Sequence, residues 1–310
     1  MSDEHTQGIR PGIDVDIQEL IGLRLMARGL ETVVSRQARS ALAGQHISRF
    51  RGRGMDYLES RAYLPGDDIR NMDWKLTART GKAHTKLFHE ERQRPVLLLL
   101  DTHAGMFFGS QQRLKSVQAA RLAALLGWTT IRRGDRIGAF AYGGTDAELK
   151  PRGGQRGVMS LIRAVAGWYQ PRQQPLEGDE PLDMALLRLR RVIRPGSLVV
   201  LVSDLFHLGS EAQRHLNRIR KHNDVLAIRL RDRLECALPP PGRYPVTDGE
   251  HRGMLDLGQT RVRRQWQQVL DQHDRDARAL MLSCRVPMIE AQPQEPLRDV
   301  LLRARGVLLA

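Results

Sequence analysis

Residues 95–101 read Pro95-Val96-Leu97-Leu98-Leu99-Leu100-Asp101, an unbroken apolar run that stops at an aspartate. A strand with one wet face alternates apolar and polar residues, so a run without alternation suits a strand covered on both faces. A second run of this kind, Ser197-Leu198-Val199-Val200-Leu201-Val202-Ser203, stops at Asp204. Around these two, strand patterns over 135–142, 147–150, 225–230 and 285–289 alternate with helical patterns over 111–132, 157–169, 182–191, 210–222, 259–282 and 297–305. Strands alternating with helices predict an α/β fold: an open, mostly parallel sheet of about six strands with helices on both faces. The two apolar strands belong side by side in its middle. Residues 238–258, rich in Pro and Gly, read as a short hairpin.

Upstream the texture differs. Leu20, Ile21, Leu23, Leu25, Met26, Leu30, Val33 and Val34 recur at roughly helical spacing, which predicts a helix over 14–44. Residues 45–94 are dense in charge, glycine and aromatics and have no long period, so they read as short strands and turns, with one turn at Leu64-Pro65-Gly66-Asp67. Two parts follow: an N-terminal helical and short-strand segment over 1–93, and the α/β domain over 94–310.

The totals narrow the function classes. The net charge of +14 divides as +3 over 1–94, +6 over 95–208 and +5 over 209–310. A dedicated nucleic-acid arm would concentrate the excess, and here it is spread. No apolar run approaches the ~20 residues that span a bilayer, and the polar start MSDEHTQGIRPG has no signal-peptide core, so a cytoplasmic protein with no integral membrane segment is expected. Cys236 and Cys284 form no C-x-x-C pair and read as two reduced, partly buried thiols.

The two strand-ending aspartates mark the candidate site. In an open α/β sheet, ligands bind outside the carboxyl ends of strands where the strand order reverses. Asp101 and Asp204 there would suit a divalent cation. The plainer alternative is that each caps the segment that follows it.

The chain resembles a known family. Gly52-Arg53-Gly54-Met55-Asp56-Tyr57 and the run Arg61-x-Tyr63-x-Pro65-Gly66-Asp67-Asp68-x-Arg70-x-x-Asp73-Trp74 carry the likeness, followed in order by Thr77-Ala78-Arg79-Thr80 and Val202-Ser203-Asp204-Leu205. This string is similar to the signature of the bacterial domain-of-unknown-function-58 family. The resemblance implies a von Willebrand factor A-like fold in the second part. It also implies a partnership with a MoxR-type AAA+ ATPase, for which such proteins are proposed as adaptors or co-chaperones acting on a protein client. Domains of this fold often carry a metal-ion-dependent adhesion site, D-x-S-x-S followed by a Thr and an Asp. Carried onto this sequence, Asp101 and Asp204 match, His103 and Gly105 replace the two serines, and Glu180 falls near the Thr position. Asp101, His103, Glu180 and Asp204 are thus the candidate ligands of a degenerate site. Imidazole with carboxylates suits Mn²⁺ or Zn²⁺ better than Mg²⁺. The other reading is a dead site in which His103 bonds Asp101 or Asp204.

Other chemistry is sparse. His89-Glu90-Glu91-Arg92-Gln93 lacks the second histidine of a zinc-protease helix, and no P-loop, dinucleotide fingerprint or G-x-S-x-G elbow occurs. Gly153-Gly154-Gln155-Arg156-Gly157 reads as a strand-to-helix turn rather than an anion site. Arg49, Arg51 and Arg53 near Phe50 and Tyr57 could contact nucleic acid, but nearby acidic residues favour an ion-paired surface. Arg61, Asp67, Asp68, Arg70 and Asp73 are expected to pair with one another or with backbone, and Tyr63 and Trp74 to sit in the core of the small unit. The leading function is a non-enzymatic adaptor. A metal-dependent hydrolase using Asp101, His103 and Asp204 is the alternative, and a nucleic-acid-binding protein comes after it.

Overall fold

Leu20, Leu23 and Ala27 fall on one stripe of helix α1 (Ile17–Ala27) and are buried. The computed structural model describes residues 9–30, 55–65, 67–90, 94–170, 180–247 and 251–309. Asp16 caps α1 by accepting from the Gln18 N–H. The helix belongs to the α/β unit, not to the segment that carries the signature. The sequence reading grouped it by position in the chain, but its apolar stripe is matched to the core of the α/β unit, where the Trp128 indole donates to the Leu20 carbonyl at 3.0 Å. The continuation of the expected helix over 31–44 lies outside the described residues, as do Arg49, Arg51 and Arg53.

The described residues between 55 and 90 form a second compact unit. Strand β1 (Met55–Ala62) pairs antiparallel with β2 (His84–Glu90), with Ala62 opposite His84. Between them the chain turns at Leu64, where the Asp67 N–H reaches the Leu64 carbonyl at 3.0 Å, then forms helix α2 (Trp74–Thr80). Asp73 caps its start and Gly81, at φ +69°, ends it in the left-handed conformation that glycine favours.

The main sheet is built from β3 (Pro95–Asp101), β4 (Arg136–Tyr142), β5 (Ala147–Gly153), β6 (Leu198–Ser203) and β7 (Asp224–Leu230). A separate hairpin, β8 (Arg243–Thr247) and β9 (Arg252–Asp256), precedes its last strand, β10 (Met288–Ala291). The order is β10–β7–β6–β3–β4–β5, parallel except for the antiparallel edge strand β5. This is the open, mostly parallel α/β sheet that the sequence predicts, with β3 beside β6 as their apolar runs require. The chain builds outward from β3 to β4 and β5, then crosses to β6 on the other side. The order therefore reverses between β3 and β6, which opens a crevice at their carboxyl ends.

The period of two along each strand decides the layers. Val96, Leu98 and Leu100 of β3 face one core, with Leu198, Val200 and Val202 of β6. That core is closed by α1, α3 (Lys115–Arg132), α4 (Gly154–Trp168) and α9 (Leu297–Leu309). Leu97 and Leu99 face the other, with Val199 and Leu201, under α5 (Leu182–Val192), α6 (Ala212–Arg220) and α8 (Thr260–Ser283). Helix α7 (Arg233–Cys236) is a single turn after β7. Each fully buried leucine contributes about 1.5–3 kcal/mol, so the middle of the sheet is the rigid platform on which the carboxyl edge is built. Cys284 is buried and Cys236 is exposed.

Candidate functional site

Asp101 ends β3 and is almost wholly buried. A buried carboxylate is costly unless its lone pairs are filled, and here they are. Oδ1 accepts from the His103 backbone N–H at 2.9 Å and faces His103 Nδ1 at 2.6 Å. Oδ2 accepts from the Ser203 hydroxyl at 2.5 Å and the Tyr142 hydroxyl at 3.3 Å. A carboxylate oxygen accepts, so this contact is a hydrogen bond in the tautomer that carries the proton on Nδ1 of His103. Burial first, then the Asp101 charge, pushes the Tyr142 hydroxyl well above its ordinary value, so it acts as a fixed neutral donor. The His103 ring stacks on His207 at 4.0 Å and meets the edge of Tyr142. Gly143, at φ +92°, lies against that ring; a Cβ there would come within 2.5 Å of Nδ1.

Asp204 follows β6 and is equally buried. Its Oδ1 accepts from the Phe206 N–H at 3.1 Å, and its Oδ2 from the Lys115 ammonium at 2.9 Å. Lys115 opens α3 and has no exposed side chain; its other anionic partner is Glu235 at 2.6 Å. Glu235 is held by the capping box of α7, where its second oxygen accepts from the Asp232 N–H at 2.8 Å. Burial alone would raise the Asp204 carboxyl and lower the Lys115 ammonium. For Asp204 the Lys115 charge and hydrogen bond, with the Phe206 N–H, outweigh burial and hold it below the ordinary value; for Lys115 the Asp204 and Glu235 charges outweigh burial and hold it above. Between Asp204 and Phe206 the chain takes an unusual path, with Leu205 at φ +65°. Such a conformation costs a non-glycine residue on the order of 1 kcal/mol or more; the Leu205 N–H bonded to Ser203 Oγ and the buried Leu205 side chain hold it.

Beside this pair, Arg229 of β7 is fully buried. It reaches Asp274 of α8 at 2.6 Å, the Asp204 carbonyl at 3.4 Å and His273 Nδ1 at 3.1 Å. Phe206 stacks on His273. Burial first, then the Arg229 charge, pushes His273 down to about 4, so it is neutral near pH 7.

The structure therefore joins Asp101 to His103, sets Asp204 at the neighbouring strand end, and keeps Glu180 apart. Glu180 is clamped by both arms of Arg188, at 2.7 and 2.8 Å, and Arg188 also binds Asp146 and the Ala141 carbonyl. Among the described residues, no three of His, Cys, Asp or Glu are arranged to hold a metal ion. The residues do not fit a divalent cation: an ammonium occupies the Asp204–Glu235 pair, and Asp101 is saturated by four donors. Gly105 supplies no hydroxyl, and a Cβ there would stand 2.9 Å from Asp204 Oδ2. Lys115, Glu235 and the Arg229–His273 pair were not singled out in the sequence. Their signals were a lysine opening a helix with a long apolar middle and an arginine inside the apolar run of β7.

The signature residues serve the small unit's own structure. Arg61 pairs with Asp67 at 2.8 Å, Tyr63 donates to the Asp67 carbonyl at 3.3 Å, and Asp67 accepts from the Leu64 N–H. Asp68 accepts from the Arg70 N–H, and Asp73 from the Ser60 hydroxyl and the Leu76 N–H. Pro65 is exposed within the turn, and Gly66 lies outside the described residues. Two expectations fail. The Arg70 guanidinium is exposed and has no partner among the described residues. Trp74 is 64% exposed rather than core, because α2 is too short to turn a buried face to the hairpin.

A family model described as protein of unknown function DUF58 matches residues 59–276. The chain belongs to the DUF58 family. Relatives include uncharacterized proteins of Mycobacterium tuberculosis and Mycobacterium bovis, each 29% identical over 289 residues, covering 91% of this chain and 90% of theirs. Among solved structures, the chain is similar to an aerotolerance-related membrane protein from Bacteroides fragilis, with 11% identity, 70% of this chain and 98% of that one covered, and a TM-score of 0.44. It is also similar to a von Willebrand factor type A protein from Catenulispora acidiphila, with 8% identity, 73% and 43% covered, and a TM-score of 0.38.

Proposed function

We propose that this DUF58 chain is a non-enzymatic adaptor that docks protein partners at the carboxyl edge of its sheet. A MoxR-type AAA+ ATPase and its client are the partners the family resemblance implies. The observation that carries this reading is that every charged group at the crevice is engaged by another group of the same chain. Asp101 is filled by His103, Ser203 and Tyr142, and Asp204 by Lys115 and Phe206. A general base or a metal-activated water needs an open carboxylate or coordination position, so the hydrolase reading has no support here. The edge also offers apolar side chains outward, beside exposed polar ones such as His207 and Ser210. Phe108 after β3, Phe206 after β6 and Met184 of α5 are exposed. The start of α5 is tied to the 206–208 loop by the Leu182 and Asp183 N–H groups, which donate to the His207 and Leu208 carbonyls. Aromatic anchors on a rigid edge suit protein docking, where a few such residues carry most of the binding energy.

The test is binding of the purified full chain to a purified MoxR-type ATPase from the same source. Wild type is expected to bind, and Phe206→Asp to weaken binding at least tenfold while the circular-dichroism spectrum stays unchanged. Absence of binding by the wild type would overturn the proposed partner; equal binding by Phe206→Asp would overturn the proposed surface.

A further inference from the structure

The metal-ion-dependent adhesion site that the resemblance implies needs a divalent cation beside the aspartate after β6. In this chain that aspartate faces a different cation. We infer that the Lys115 ammonium is a tethered replacement for the divalent metal, so that the carboxyl edge carries its positive charge permanently and takes no metal ion.

Three observations support the substitution. First, the place of the charge: Nζ lies 2.9 Å from Asp204 Oδ2 and 2.6 Å from Glu235 Oε1, and the side chain is wholly buried. A lysine sent to the surface would snorkel its amine into water; this one buries it between two carboxylates supplied by segments 120 or fewer residues away in sequence. Second, the room: Gly105 stands where a hydroxyl ligand is expected, and a Cβ there already crowds Asp204 Oδ2 at 2.9 Å. Restoring the serine would thus collide with the carboxylate that the ammonium holds. Third, the scaffold: Glu235 is aimed by the α7 capping box, and Asp232 of that box accepts from the Ser110 N–H and hydroxyl after β3. The loop after β3, the start of α3, the end of β6 and the turn after β7 are thereby drawn together around one ammonium. Bringing these four segments to one charge is a role a metal ion can fill, and here Lys115 fills it without exchange with solvent.

The consequence is a docking edge insensitive to chelators and to divalent-cation concentration. This inference concerns the site itself and does not require the adaptor reading; its test uses no partner.

The test is a Mn²⁺ titration of the full chain, followed by the paramagnetic signal of free Mn²⁺ and by Tm. Wild type is expected to hold no Mn²⁺ that Asp204→Asn removes, and its Tm is expected to be the same in chelator and in Mn²⁺. Lys115→Ala leaves two carboxylates and an opened volume, so it is expected to gain one Mn²⁺ per chain. Its Tm should rise by about 2–3 °C when free Mn²⁺ is about tenfold above the dissociation constant. The gain should vanish in Lys115→Ala with Asp204→Asn. A wild-type site of one Mn²⁺ per chain that is lost in Asp204→Asn overturns the inference, and so does a folded Lys115→Ala that gains no Mn²⁺. Should Lys115→Ala not fold, the wild-type arm decides alone.

Discussion

At the residue scale, the chemistry of the site is a matter of which partner each charge finds. Asp101 and Asp204 were legible because each punctuates an apolar strand, and the contact of His103 with Asp101 matches the alternative to a metal site, in which His103 bonds Asp101 or Asp204. Lys115 was not legible: a lysine opening a helix normally reads as a solvated end, and its partner Glu235 lies 120 residues on. Removing one member of a buried pair leaves the other charge unpaired, so Lys115→Met is expected to cost about 3–5 kcal/mol in urea unfolding; a loss below about 1 kcal/mol would mean that water reaches the carboxylates. Gly105→Ser, which restores the serine of the adhesion motif, is expected to lower Tm and to confer no Mg²⁺ binding, because its Cβ meets Asp204 first. His273 gives a pH signature. Its folded value of about 4 lies below the ordinary 6.5, so the unfolded chain binds the proton more readily. Its contribution to stability is therefore present above pH 6.5 and lost as pH falls toward about 4. The urea midpoint should decline over that window, and less steeply in His273→Gln; equal slopes would assign the decline to other groups.

At the element scale, the long apolar runs over-determine the fold. Leu97 and Leu99 feed one core, and Val96, Leu98 and Leu100 the other, so β3 could only be central. Leu99→Ala is expected to cost about 2–5 kcal/mol in chemical unfolding, against little for an apolar residue exposed on α8 such as Val269. Sequence reading was weaker where elements are short. Helix α2 has seven residues and no buried ones, so Trp74 stays exposed although its aromatic character suggested core. The same stretch shows that charge density is a good but incomplete guide to pairing: Arg61, Asp67, Asp68 and Asp73 are bonded as expected, and the Arg70 guanidinium is not. Asp73 caps α2 and receives the Ser60 hydroxyl, while Arg70 points outward. Asp73→Ala should therefore lower the thermal midpoint of the small unit and Arg70→Ala should leave it unchanged, as read by amide exchange on β1 and β2. The reverse order would mean that Arg70 has a structural partner. Glu180 was placed by motif spacing across a long interval, and spacing does not record that Arg188, two turns further along, claims it.

At the scale of the whole molecule, a rigid doubly wound sheet ends in an edge whose two aspartates are bonded within the chain. The net charge of +14 is distributed over the chain rather than gathered into one arm, and no helix of the described residues is long and apolar enough to cross a membrane. The order reversal between β3 and β6 places Asp101, Asp204, Phe108 and Phe206 at one crevice, and the internal ammonium of Lys115 fixes its shape. Fold class and crevice could be read from strand runs; the closure of the crevice could not, because it depends on contacts between distant segments. The most direct test of the central claim is amide hydrogen exchange of the full chain with and without a MoxR-type ATPase, in excess chelator. The account predicts added protection at 104–108 and 204–209 on binding. Protection confined to other segments, or loss of binding in chelator that Mg²⁺ restores, would contradict it.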